Sequence, residues 1–157
     1  MNGRVRGSQT LTVLAVAALV ATAPAAHAGR APRASSSAAA PSLTEVGNGF
    51  EQNRLLAGAE RLAALQQTQE SVAQVLHGGL DGEQRTAARF LSGAVQYELG
   101  NFGKAAEEFG QAADGGDKNA FADDAAFAAI QALEADGRDG EAAREWTKWE
   151  KRFPRVR

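Results

Sequence analysis

The sequence predicts an all-α protein built of stacked helical hairpins, and three observations carry that expectation. Apolar residues recur at offsets of three, four and seven through most of the chain beyond Pro41, the spacing that places them on one side of a helix. Turn residues fall between those stretches, at His77-Gly78-Gly79, Gly100-Asn101, Asp114-Gly-Gly-Asp117 and Asp136-Gly137. The last turn repeats the second at a fixed offset. No alternating run of β-branched residues marks a strand beyond the first 28 residues.

The first segment reads as an address rather than as part of the fold. Met1 to Thr10 carries Arg4 and Arg6 and no acid; Leu11 to Ala23 is apolar apart from Thr12 and Thr22; Ala26-His27-Ala28 is a small-x-small site. That is the three-part layout of a secretory signal, so residues 1–28 are expected to be removed after Ala28. A short uncleaved anchor is the alternative, although the apolar run falls short of the roughly 20 residues of a membrane span. No cysteine occurs in the 157 residues, which excludes a lipoprotein anchor, a disulfide framework, a thiolate zinc site and a cysteine nucleophile. An exported, periplasmic location follows, and the alanine-rich, cysteine-free composition suits a bacterial envelope. Loss of Arg4 and Arg6 takes the formal charge from −2 to −4. A nucleic-acid partner, which wants a basic face, is not expected.

Residues 29–41 contain no apolar side chain larger than alanine until Pro41 and are expected to be a disordered tether. Residues 42–79 form an N-terminal helical segment. Ser42 and Glu45 have the spacing of a capping box. Phe50, Leu55, Leu56, Leu62, Leu65, Val72, Val75 and Leu76 make a helical stripe, as one long helix or as two broken near Gln66-Gln67-Thr68. Residues 80–157 form the repeat domain. Asp81 is the expected N-cap of a helix running to Leu99, with Ala88, Leu91, Val95 and Leu99 on one face. Phe102 to Ala113 is the return helix, burying Ala105, Phe109 and Ala112. A third helix is expected from about Asn119 to Ala135, and a fourth from Asp139 to about Arg152, before Phe153-Pro154.

The two hairpins align with an offset of 37 residues: Gly100 with Gly137, Ala105 with Ala142, Phe109 with Trp146, Ala112 with Trp149. A fixed period of this size indicates stacked hairpins. Glycine permits the turn, a small alanine lets the helices approach, and an aromatic one helical turn later fills the gap beside them. Gly93, Leu99-Gly100-Asn101-Phe102, Ala105, Phe109 and Ala112, with Gly137, Ala142, Trp146 and Phe153-Pro154, resemble the tetratricopeptide repeat. The departures are Arg89, Ser92 and Gln96 at core positions, Asp139 for the turn aromatic and Trp149 for a small alanine. The period also exceeds the usual ~34, which places three extra residues in the 114–119 loop. Within the repeat proteins, residues 81–154 look most similar to the periplasmic coordinator proteins associated with the Tol–Pal system, on the Gly-Asn/Asp-aromatic-x-Lys-Ala pattern and the aromatic-Pro ending. That resemblance implies an exported scaffold that binds protein.

Little in the sequence points to catalysis. His77, the one histidine beyond residue 28, falls at a helix end, where a cation is favourable. Glu107-Glu108 and Asp123-Asp124 are adjacent on helices, so their side chains diverge by about 100° rather than converging on a ligand. Residues 114–117 lack the spaced ligands of a calcium loop. The chain is therefore read as non-enzymatic, with no cofactor and no metal.

Two surfaces are candidates. The resemblance places Phe90, Ala94, Tyr97 and Glu98 of one hairpin and Asp124, Phe127, Gln131 and Glu134 of the next on a concave protein-binding face. The alternative is that Tyr97 and Phe127 are core residues packed on the 50–76 helix. The second surface is the last helix, where Trp146 and Trp149 share a side with Lys148, Lys151, Arg152, Arg155 and Arg157 near them. An exposed Trp149, flanked by Lys148 and Arg152, would mark a contact for self-association; the alternative is that it folds back on its own hairpin. The expected function is a non-catalytic scaffold for a protein or peptide partner in the cell envelope. The alternative function is a structural, oligomerising protein working through the C-terminal helix.

Overall fold

Short-range chemistry sets where the helices begin. In the computed structural model, which describes residues 40–115, 119 and 121–154, six helices and no strand occur among the described residues. They are α1 (Leu43–Asn53), α2 (Gly58–His77), α3 (Gly82–Glu98), α4 (Phe102–Ala113), α5 (Ala122–Ala135) and α6 (Asp139–Arg152). Ser42 opens α1 with a capping box: Glu45 N donates to the Ser42 hydroxyl at 3.3 Å, and Ser42 N donates to the Glu45 carboxylate at 2.8 Å. Asp81 does the same for α3, with Gln84 closing the box. Each box satisfies two backbone donors that a helix start leaves open.

Each helix packs on its neighbours in the chain, and α1 also touches α3. Helices that lie together across a three- or four-residue connection must run back on one another, so the chain folds as a series of hairpins. Helix α4 lies between α3 and α5 and buries Ala105, Ala106, Phe109, Ala112 and Ala113. Helix α6 has α5 on one side and buries Ala142 alone. The core runs continuously from Val46 and Phe50 through Leu65, Leu91, Val95 and Phe109 to Ile130 and Ala142.

Two turns set the geometry of the last four helices. Gly100 and Gly137 have φ of +79° and +78°, in the left-handed region where a side chain costs energy. Asn101 N donates to Gln96 O at 2.9 Å and Gly100 N to Tyr97 O at 3.0 Å. At the second turn Arg138 N donates to Leu133 O at 2.9 Å and Gly137 N to Glu134 O at 3.1 Å. Both are Schellman caps, which satisfy the last carbonyls of a helix while reversing the chain. The residues after the glycines agree too, with φ and ψ of −86° and 60° at Asn101 and −89° and 51° at Arg138.

Two of the three polar departures at core positions, Arg89 and Gln96, have side-chain partners. Arg89 pairs with Glu108 at 2.8 Å, tying α3 to α4. Gln96 is buried, and its amide oxygen accepts from the Asn101 side chain at 2.9 Å.

Three expectations need correction. The 50–76 stretch is not one helix and does not break at Gln66-Gln67-Thr68. It breaks at residues 54–57, where the Leu55 and Leu56 amides bond three residues back and Gly58 resumes the helix at φ +58°. Thr68 instead knits α1 to α2: its hydroxyl donates to Ala64 O at 2.9 Å and accepts from the Asn53 amide at 3.0 Å. The stripe also loses two members, since Leu55 and Leu62 are 83% and 50% exposed. Helix α5 starts at Ala122 rather than Asn119. The Asn119 amide donates to Ala112 O at 2.6 Å and its oxygen accepts from Phe121 N at 3.0 Å, a local side-chain turn that competes with the helix. The expected signal and tether up to residue 39, residues 116–118 of the 114–119 loop, and Arg155 and Arg157 lie outside the described residues.

Candidate functional site

The residues at 124, 127, 131 and 134 fall at steps of three, four and three, which sets them on one face of α5 within an arc of about 80°. Asp124, Phe127 and Glu134 are exposed and Gln131 is half-buried, so that face points outward. Phe127 retains 36% of its surface in contact with solvent. Its ring stands edge-on to Trp146 at 5.4 Å and lies 6.1 Å from Trp149. Trp146 Nε1 donates to the Glu134 carboxylate at 3.0 Å. The face is therefore a strip of carboxylate, aromatic, amide and carboxylate, backed by two indoles of α6.

The corresponding residues on α3 behave differently. Phe90 and Ala94 are buried, at 5% and 0% exposure. The Phe90 ring packs edge-on against Phe109 at 5.2 Å. Phe90 and Ala94 are core residues, which corrects their expected place on the concave face. Glu98 is taken up internally: it forms an ion pair with Arg61, and Arg54 lies 3.9 Å from its other oxygen. Arg54, in the α1–α2 connection, and Arg61, in the first turn of α2, thus hold a carboxylate expected to be free for a partner. Tyr97 stays half-buried, edge-on to Phe102 at 5.0 Å. Its described ring partner is thus the start of α4 rather than the 50–76 stretch.

Electrostatics link Tyr97 to the α5 strip. Desolvation, then the charges of Glu98 and Glu134, push the Tyr97 phenol above its ordinary value. The phenol therefore remains a hydrogen-bond donor at neutral pH. Desolvation and the neighbouring Asp123 likewise push the Asp124 carboxyl up. Neither Asp124 nor Glu134 forms an ion pair with another described residue.

The C-terminal surface is turned inward. Trp149 is half-buried, its Nε1 donates to Asp123 O at 3.2 Å, and its ring meets Trp146 edge-on at 5.6 Å. The exposed indole expected on the last helix is thus folded back onto α5. Arg152 donates to Ala113 O at 3.2 Å and lies 3.7 Å from Asp114. There its charge meets the C-terminal end of α4, where a cation is favoured. Lys148 is exposed and pairs with Glu145 at 2.6 Å.

Sequence reasoning missed the part of Trp146 as the neighbour of Glu134 and Phe127, and that of Arg54 and Arg61 as the partners of Glu98. The first was accessible. In a hairpin, residues about equally far from the turn face one another; Phe127 lies ten residues before Gly137, and Trp146 nine after it. The second had no local signal, because Arg61 and Glu98 meet only through the packing of α2 on α3. No family model, no curated protein and no solved structure matches this chain.

Proposed function

We propose that this chain is an exported, non-catalytic helical-repeat scaffold of the tetratricopeptide kind, which binds a protein or peptide segment in the cell envelope. The observation that carries the reading is the recurrence, 37 residues apart, of one turn with the same glycine conformation, the same pair of capping bonds and the same continuation. A unit that recurs in this way stacks hairpins, and stacked hairpins present the first helix of each pair as a ready-formed groove wall. Partner recognition then rests on Tyr97, Asp124, Phe127, Gln131 and Glu134, a set with an aromatic at its centre and polar groups around it. Support for export is confined to the pattern of residues 1–28, and the Tol–Pal association is the narrowest form of the proposal.

The test is capture from an envelope extract by the chain lacking residues 1–28, compared with Tyr97→Ala and Phe127→Ala. Loss of the same bound species in both variants, with helical content unchanged, is the expected result. Capture that both substitutions leave intact removes the groove from the reading. Self-association through the last helix is the less favoured alternative, because Trp149 packs on α5 rather than standing free. A monomer in sedimentation equilibrium at high micromolar concentration would dispose of it.

A further inference from the structure

We infer that the α5 strip is a docking surface for an extended, cationic peptide segment with basic residues four positions apart and an apolar residue midway between them. The inference rests on the groove reading above and adds the chemistry of the ligand.

Charge selects the sign of the ligand. Helix α5 carries Asp123, Asp124 and Glu134 and no lysine or arginine. Glu51, Glu98, Glu108, Asp114, Asp136, Glu141 and Glu145 all have an arginine or lysine within ion-pair distance. Asp124 and Glu134 do not, and among the described acids without such a partner they are the two that bracket the one aromatic residue of the exposed strip. Desolvation first, and neighbouring negative charge second, push up the Asp124 carboxyl (Asp123) and the Tyr97 phenol (Glu98 and Glu134). A docked cation offsets that negative charge, whereas an anionic ligand adds to the repulsion.

Spacing then selects the form of the ligand. Asp124 and Glu134 are ten residues apart on one side of the helix, about 15 Å along its axis and about 80° apart around it. An extended chain advances roughly 3.3 Å per residue and turns alternate side chains to the same face. Two basic residues four positions apart therefore stand about 13 Å apart on one face, with the middle residue facing the same way. The long side chains of arginine or lysine take up the remainder. That middle residue meets Phe127, where the ring's exposed third gives an apolar contact. Gln131, half-buried on the same face, is placed to hydrogen-bond the peptide backbone. Guanidinium is the better fit of the two cations, because it pairs with a carboxylate in two-point geometry and stacks on aromatic faces.

The experiment uses the chain lacking residues 1–28 and a labelled eleven-residue peptide with Arg-Ala-Leu-Ala-Arg at its centre. Binding is followed by fluorescence anisotropy at low salt. A peptide with glutamate in place of both arginines is the control. Expected is binding of the basic peptide that weakens as salt rises, and none of the acidic one. Asp124→Asn and Glu134→Gln each lower affinity about two- to fivefold, as a partly exposed ion pair implies. Glu134→Gln keeps an acceptor for Trp146 Nε1, so its effect reads the charge and not the hydrogen bond. Phe127→Ala costs about tenfold or more, as a central aromatic contact does. Equal binding of the two peptides, or indifference to both carboxylate substitutions, overturns the inference. So does a salt-sensitive dimer in sedimentation equilibrium that Asp124→Asn dissociates, because the occupant is then a second copy. If Phe127→Ala abolishes envelope capture while the carboxylate variants leave it intact, the groove reading stands and the cationic ligand falls.

Discussion

The two glycine-turned hairpins, α3–α4 and α5–α6, share a backbone turn and differ in almost everything packed around it. In the first, the Phe109 ring lies directly on Gly93 and is fully buried. In the second, 37 residues on, Ile130 stands where Gly93 stood and Trp146 replaces Phe109. Ile130 is buried, and Trp146 remains half-exposed against Phe127 and Trp149. The outward face of the first hairpin, at Phe90 and Ala94, is sealed in the core; of the equivalent residues, Phe127 is exposed and Gln131 half-buried. On that face the first hairpin keeps only the half-buried Tyr97, whereas its copy keeps the whole strip for contact. The repeat fixes the turn and the helix pairing, while single side-chain exchanges decide which copy has a usable surface.

Truncating the central aromatic of each hairpin breaks the comparison most directly. Phe109→Ala should cost about 3–5 kcal/mol, the usual range for removing a fully buried ring. Trp146→Ala should cost about 1–2 kcal/mol, because part of that ring is already in water. Urea unfolding curves of both variants measure this, and equal losses would show that the hairpins are packed alike.

The Gly93 contact gives the next largest effect. A Cβ there would lie 2.7–2.9 Å from three ring atoms of Phe109, a ring enclosed on all sides. Gly93→Ala should therefore destabilise by about 1–3 kcal/mol through overpacking. At Gly110, on the return helix, an added Cβ would meet nothing within 4 Å. Gly110→Ala should instead stabilise by roughly 0.5–1 kcal/mol, since alanine favours the helix. Thermal unfolding shifts of opposite sign sharpen the contrast between one glycine that is packed and one that is not.

The turns themselves should respond equally. Gly100→Ala and Gly137→Ala each force a side chain into left-handed backbone, a loss of about 1–2 kcal/mol. A clear inequality between the two would mean that the matching dihedral angles do not carry matching energies.

The smallest expected effect concerns pH. The first turn is tied by the uncharged Gln96–Asn101 bond. The second is tied by Arg138, which donates to both oxygens of Glu141 at 2.8 and 2.7 Å. Hydrogen bonding to Arg138 holds the Glu141 carboxyl below its ordinary value. A carboxyl whose folded value is depressed contributes stability above its unfolded value and loses it as pH falls through the folded one. Glu141→Gln should thus lower the melting temperature slightly at neutral pH and leave it unchanged in acid. Gln96→Ala should lower it equally at both. A Glu141 effect that persists below the carboxylate range would assign its role to packing.

Sequence alone went far along the chain and only part way into the site. Ser42, Asp81, Gly100 and Gly137 were readable because caps and turns are set by residues within five positions of one another. The bounds of α4 and α6 follow from the same signals. Phe90 and Phe127 occupy equivalent places in the repeat, and no local pattern separates them. Phe90 is buried because it meets Phe109, which has sunk onto Gly93; Phe127 has only the two indoles of α6 as ring neighbours. Glu98 looked available for the same reason that Arg61 looked incidental, since 37 residues separate them. The break at residues 54–57 escaped notice because no proline marks it and its glycine comes at the start of the next helix.

The helical class, the position of most helix ends and the repeat of one turn are written in local sequence, since each depends on contacts within a turn or two of the chain. Which of two equivalent faces remains open is settled by packing between helices. In one hairpin the Phe109 ring settles onto Gly93, while the matching place in the other is held by Ile130, and such a meeting exists only once the helices have packed.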